Sequence, residues 1–132
     1  MRKAVIIGGA AGLALLSSAV VAQVTAPTAE VMTAGQRGFA QNCAVCHGAE
    51  GGGGAGPSLA GNPVTASSLG VVQIIIQGYL NHGMPPFGHL SDDLIAAIAS
   101  YVRNSWGNAH GEVTVATVAS IRADIAAAGP GE

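Results

Sequence analysis

The chain has 132 residues, 49% of them hydrophobic, 9% charged and 4% aromatic, which fits one small domain with a modest core and gives no sign of a second. Five Lys and Arg stand against seven Asp and Glu, a formal charge of −2. That balance excludes the cationic surplus with which a nucleic-acid binder neutralises phosphates.

Residues 1–22 read as a secretory signal. "MRK" is positive, "AVIIGGAAGLALLSSAV" is uncharged and apolar, and "VVA" places small residues before Gln23, which predicts cleavage after Ala22. The rival is an uncleaved anchor, since the apolar run from Ala4 to Ala22 reaches the roughly 18 residues that can cross a bilayer. Its Gly, Ala and Ser content makes it a weak spanner, and both readings export the domain. Membrane association is expected only if the segment is retained. Without it, Arg37, Arg103 and Arg122 face seven acidic residues, so the charge becomes −4 and no lysine remains. Such a surface has no positive ring to steer an acidic partner, and suits an apolar or a basic one.

Residues 23–32 read as a flexible lead-in. Thr33-x-x-Gln36 has the form of a capping box and predicts a helix from Ala34 to about Asn42, with Gly35 and Phe39 on one face. Residues 51–66, rich in Gly, Pro, Ala and Asn, read as loop. A second helix is expected from Ser67 or Ser68, with Leu69, Val72, Ile75 and Ile76 buried and Gly78 as its stop. "YLNHGMPPFGHL" cannot continue it, because Pro85 and Pro86 forbid regular helix. Ser91 is an N-cap followed by Asp92 and Asp93 in the positive first turn, and Leu94, Ile95, Ile98, Tyr101 and Val102 form the stripe of a third helix ending between Arg103 and Gly107. Residues 109–132 form a C-terminal extension in which Val118, Ile121 and Ile125 predict one short helix. "EVTV" is the one candidate strand, so the expected class is all-α.

The chemistry is concentrated in "NCAVCHG". Cys43 and Cys46, three residues apart, place two sulfurs on one side of a single turn, and His47 adds an imidazole beside them. Haem suits this set: the thiols can form thioethers with its two vinyl groups while His47 ligates the iron. A structural disulfide, a thioredoxin-like redox pair and a zinc or copper site are the alternatives. The redox pair lacks its βαβ context, zinc would have to gather distant ligands, and a disulfide leaves His47 without a reason. For a sixth iron ligand, Met84 leads. Met1 leaves with the signal, Met32 lies in the lead-in, and Met84 precedes Pro85 and Pro86, which stiffen its loop. His82 is the next candidate, while His89 and His110 read as surface residues.

"GQRGFAQNCAVCHG", "GMPPF" and "LSDDLIAAIASYVRNSWGN" together resemble a class I cytochrome c over roughly Thr33 to Asn108, the segment read as the domain, 33–108. The third stretch resembles the last helix of cytochrome domains serving bacterial periplasmic dehydrogenases and terminal oxidases. The resemblance implies crossing N- and C-terminal helices, with Gly35 and Phe39 packed on Ile98 and Tyr101, and helices and loops wrapped round a single covalent haem c. It implies Cys43 and Cys46 as attachment points, His47 and Met84 as axial ligands, and a Pro57 carbonyl that accepts the Nδ1 hydrogen of His47. Gly51 to Gly54 and Gly56 would let the backbone pass close to the haem edge. Val45, Pro86 and Phe87 would form an apolar docking patch. The expected function is one-electron transfer in the bacterial periplasm, as a free carrier or as the cytochrome subunit of a dehydrogenase or oxidase, with no catalysis of its own. The alternatives are a haem enzyme or sensor with a displaceable sixth ligand, and a metal-binding protein without haem. The absent lysines and the extension beyond Asn108 depart from the family pattern.

Overall fold

Each long helix starts where a hydroxyl side chain can accept a hydrogen bond from one of its first free amides. In the computed structural model, which describes residues 24–129, Thr28 caps α1 (Ala29–Asn42), Ser67 caps α3 (Ser68–Gln77), Ser91 caps α4 (Asp92–Asn104) and Thr114 caps α5 (Val115–Ala128). A single turn, α2 (Ala44–His47), follows α1, and 3-10 turns cover Pro63–Ala66 and Leu80–His82. The described residues contain no strand, in keeping with the all-α expectation. The expected signal at 1–22 lies outside the described residues.

Three expectations are corrected. The first helix begins at Ala29, so Ala29 to Met32 of the expected lead-in are helical and Thr33 is not a cap; its hydroxyl donates to the Ala29 carbonyl at 2.8 Å. Thr28 takes the cap because no Gly or Pro interrupts the chain between it and Thr33. In α3 the buried set is Val71, Val72, Ile75 and Ile76, while Leu69 is 54% exposed. "EVTV" forms no ladder, because the amide and carbonyl of Val113 both pair with the Ser100 hydroxyl.

The principal packing is α1 against α4. At Gly35 a Cβ would sit 2.6 Å from Tyr101 Cβ and run into the Ala97 carbonyl oxygen, and at Gly38 one would sit 2.7 Å from Ile98 Cγ1. The two helices therefore touch at backbone distance on one side of α1. Gly35 does meet Tyr101, but Ile98 is met by Gly38, which the sequence reading passed over. Phe39 is buried beside them, its ring 5.6 Å from Tyr101 and 5.1 Å from Trp106. Around this contact α3 and α5 complete one core, in which Ile95, Ile98, Val72, Val113 and Val118 are fully enclosed.

The segment after α4 is held by buried polar groups. Arg103, 5% exposed, donates to the carbonyls of Thr65, Gly111 and His110, and burial lowers the pKa of its guanidinium. Asn108 donates to the carbonyls of Leu59 and Val102 and accepts from the Gly61 amide. Asn104 both donates to and accepts from the backbone of Gly111. Every buried side-chain polar atom among the described residues has a partner, as burial demands.

Gly35→Ala should lower the stability of the haem-loaded protein by about 2–3 kcal/mol in urea unfolding, because the helices cannot separate without opening the core. Gly52→Ala, where a Cβ meets nothing within 4 Å, should change it by less than about 0.5 kcal/mol.

Candidate functional site

The end of α1 runs directly into the thiol turn. Cys43 donates its amide to the Phe39 carbonyl at 2.8 Å, and its own carbonyl accepts from Cys46 at 3.1 Å and His47 at 3.0 Å. Both cysteines are free thiols, half-buried on one turn. Burial, and then the nearby Cys46, push the Cys43 thiol up to about 11. A redox cysteine pair needs the opposite, a thiol pushed down.

The glycine-rich loop closes over this turn. Gly53 donates to the His47 carbonyl at 2.8 Å and Gly56 to the Cys46 carbonyl at 2.9 Å, which satisfies acceptors at the end of α2. His47 is buried, and its Nδ1 lies 2.8 Å from the Pro57 carbonyl oxygen. A carbonyl can only accept, so Nδ1 carries the hydrogen, which in the neutral ring leaves the lone pair on Nε2. Gly56 lies against the ring: a Cβ there would be 2.9 Å from His47 Cε1. The loop thus grips the imidazole by its edge and by a close backbone approach. Gly51 has a different task, since a Cβ on it would meet the Trp106 ring at 2.5 Å. Beyond Pro57, Asn108 fixes Leu59 and Gly61 to the end of α4.

Met84 sits half-buried in the loop after α3. It pairs with Tyr79 as a two-residue antiparallel bridge, with Tyr79 N to Met84 O at 2.9 Å and Met84 N to Tyr79 O at 3.3 Å. Gly78, at φ 72, turns the chain so tightly that a Cβ would sit 2.6 Å from the Met84 oxygen. Phe87 donates to the Ile75 carbonyl at 2.8 Å, so the loop is tied to Tyr79 before the prolines and to α3 after them. The thiol turn, through Cys43 and Ala44, and this loop, through Phe87, pack on the same core. His82 is exposed, its ring centroid 4.3 Å from that of Tyr79, and His89 is exposed with its ring 6.2 Å from Phe87. His110 is half-buried, with its carbonyl on Arg103. Of the expected docking patch, Val45 is 88% exposed and Pro86 is exposed, but Phe87 is half-buried in its contact with the core.

Sequence reasoning missed Asn108, Arg103 and Trp106. The only local signal was Trp106 between Ser105 and Gly107, which adopts φ 55, a strained value for a bulky side chain.

Two thiols, an imidazole held in one tautomer and a separate thioether on one small helical scaffold define a c-type cytochrome. Residues 30–102 match the family described as cytochrome c oxidase, cbb3-type, subunit III, and the chain belongs to it. Membership of that family implies haem c and haem-based electron transfer. The chain is 37% identical over 99 residues to the cytochrome c subunit of a quinone alcohol dehydrogenase from Gluconacetobacter polyoxogenes, and to the same extent to that from Komagataeibacter europaeus. Each match covers 64% of this chain and 21% of the relative, so the chain spans about a fifth of the length of the curated relatives it matches. The crystal structure of cytochrome cL from the marine methylotroph Methylophaga aminisulfidivorans is similar at 31% identity and a TM-score of 0.52, over 58% of this chain and 53% of that one.

Gly56→Val should push the imidazole off the Pro57 carbonyl. Solvent exchange of the His47 Nδ1 proton, followed by NMR on the reduced haem-loaded protein, should then accelerate by about tenfold or more, the equivalent of one lost hydrogen bond.

Proposed function

We propose that one haem c is attached through Cys43 and Cys46, ligated by His47 and Met84, and used for one-electron transfer in the bacterial periplasm, with a dehydrogenase as the leading partner. The carrying observation is the buried His47 whose Nδ1 is held 2.8 Å from the Pro57 carbonyl beside two free thiols. The donor set fits the group: two sulfurs on one turn, an imidazole with Nδ1 on a carbonyl, and a thioether in a braced loop. A bound haem iron supplies an Fe(III)/Fe(II) couple.

The chain's own residues do the rest. Pro57 orients His47 and raises its basicity as a ligand. The soft, uncharged thioether of Met84 would favour the lower charge of Fe(II) and so raise the potential. Backbone ties from Tyr79 and Ile75 hold the Met84 loop, so both ligands keep their places when the charge changes. The carrier unit read over 33–108 is taken to be wider: residues 29–32 are helical, Val118 and Ile121 of α5 share its core, and Thr25 ahead of it accepts from the Glu112 amide at 2.8 Å.

The partner reading rests on the relatives named as cytochrome subunits of quinone alcohol dehydrogenases, and an oxidase is the other class, from the family description. Exposed Val45 beside the thiol turn suits a brief apolar encounter. Export rests on the segment at 1–22 and on covalent attachment, which prevents haem loss outside the cell. No helix among the described residues is long and apolar enough to cross a membrane. Those residues include no group of three His, Cys, Asp or Glu placed to hold a metal ion.

Met84→Ala should lower the reduction potential by on the order of 0.2 V and admit carbon monoxide to the reduced iron, while His82→Ala should change neither. Potentiometric titration of the two variants decides it, and the reverse pattern assigns His82.

A further inference from the structure

The C-terminal helix α5 reaches the Met84 loop through one side chain. Arg122 donates from Nη1 to the Gly88 carbonyl at 2.8 Å, from Nη2 to the Leu90 carbonyl at 3.2 Å, and from Nε to Asp92 Oδ1 at 2.9 Å. Its Nη2 also lies 2.8 Å from the same Asp92 oxygen. One guanidinium thus spans the exit of the Met84 loop and the first turn of α4. Val118 and Ile121 bury the rest of the helix against α3 and α4, so the arginine projects from a fixed base.

The entrance of the loop is held by other means, the Tyr79–Met84 bridge and the Phe87–Ile75 hydrogen bond. Between Phe87 and the start of α4 the backbone groups of Gly88 and Leu90 meet Arg122, and Leu90 N meets the Phe87 carbonyl at 3.0 Å. The family match ends at residue 102, so α5 and Arg122 lie beyond it.

We propose that the C-terminal extension is a clamp on the sixth-ligand loop, with Arg122 as its positioning residue: it holds residues 84–91 closed and so keeps Met84 on the iron against exogenous ligands. This rests on the reading of Met84 as the sixth ligand. Removing the guanidinium frees two carbonyls and a carboxylate to water and lets the loop open more often. A competitor for the iron then gains by the increase in the open population.

The test uses imidazole as the competitor, titrated into the oxidised haem-loaded protein and followed by its visible spectrum. Arg122→Gln should bind imidazole about 5- to 10-fold more tightly than the parent. Thr114→Ala, which removes the α5 cap without touching the loop, should lower the melting temperature but leave imidazole affinity within about twofold. Equal tightening by both variants, or none in Arg122→Gln, overturns the clamp. Met84→Ala calibrates the assay: a large tightening there with a silent Arg122→Gln rejects the clamp alone, whereas no tightening there rejects Met84 as the ligand and the clamp with it. Amide hydrogen exchange of Phe87 and Leu90, faster in Arg122→Gln than in Thr114→Ala, is expected alongside.

Discussion

The contact of α1 with α4 at Gly35 and Gly38 is the constraint from which the rest of the molecule is laid out. Backbone approach at that point sets where Cys43 emerges, because the thiol turn continues α1 through the Cys43 amide bond to Phe39. It also places the two ends of α4. From the C-terminal end, Val102, Arg103 and Asn108 hold the backbone around Leu59, Gly61 and Thr65, downstream of Pro57. From the N-terminal end, Asp92 meets the arginine that grips the exit of the Met84 loop. One helix therefore anchors the segment after Pro57 at one end and the segment after Met84 at the other.

Under the proposed function the backbone ties have a chemical purpose: electron transfer is fast when little moves, and both loops that carry the proposed ligands are tied through backbone groups. The Pro57 carbonyl restrains a tautomer, and the backbone bridge of Tyr79 restrains a thioether. The buried cation, Arg103, meets carbonyl dipoles of Thr65, Gly111 and His110. It fastens loops rather than standing among the candidate ligands.

What was legible in the sequence was what repeats or caps. Ser91 with Asp92 and Asp93, the stripe through Ile95 and Ile98, and Val118 with Ile121 match the helical spacing expected of them. The Cys-x-x-Cys-His run and the Met84-Pro85-Pro86 run were visible as motifs, because each places particular residues at a fixed spacing. The start of α1 was misjudged because Thr28 and Thr33 can each cap, and the Thr33-x-x-Gln36 pattern drew attention from the breaker-free turn before it. Leu69 and Val71 were exchanged because an almost wholly apolar helix offers no polar face against which to orient the stripe. Asn108, Arg103 and Arg122 were illegible for a deeper reason. Their partners lie up to 49 residues away and are mostly backbone carbonyls or amides, to which any residue type contributes equally.

The most direct test of the central claim, a covalent haem held at Cys43 and Cys46, is the mass of the exported protein under denaturing and reducing conditions, with its visible spectrum. The expected result is a mass raised by one haem that survives both treatments, and a coloured protein whose bands shift on reduction. An unmodified mass and a colourless protein from a host competent to attach haem would contradict it.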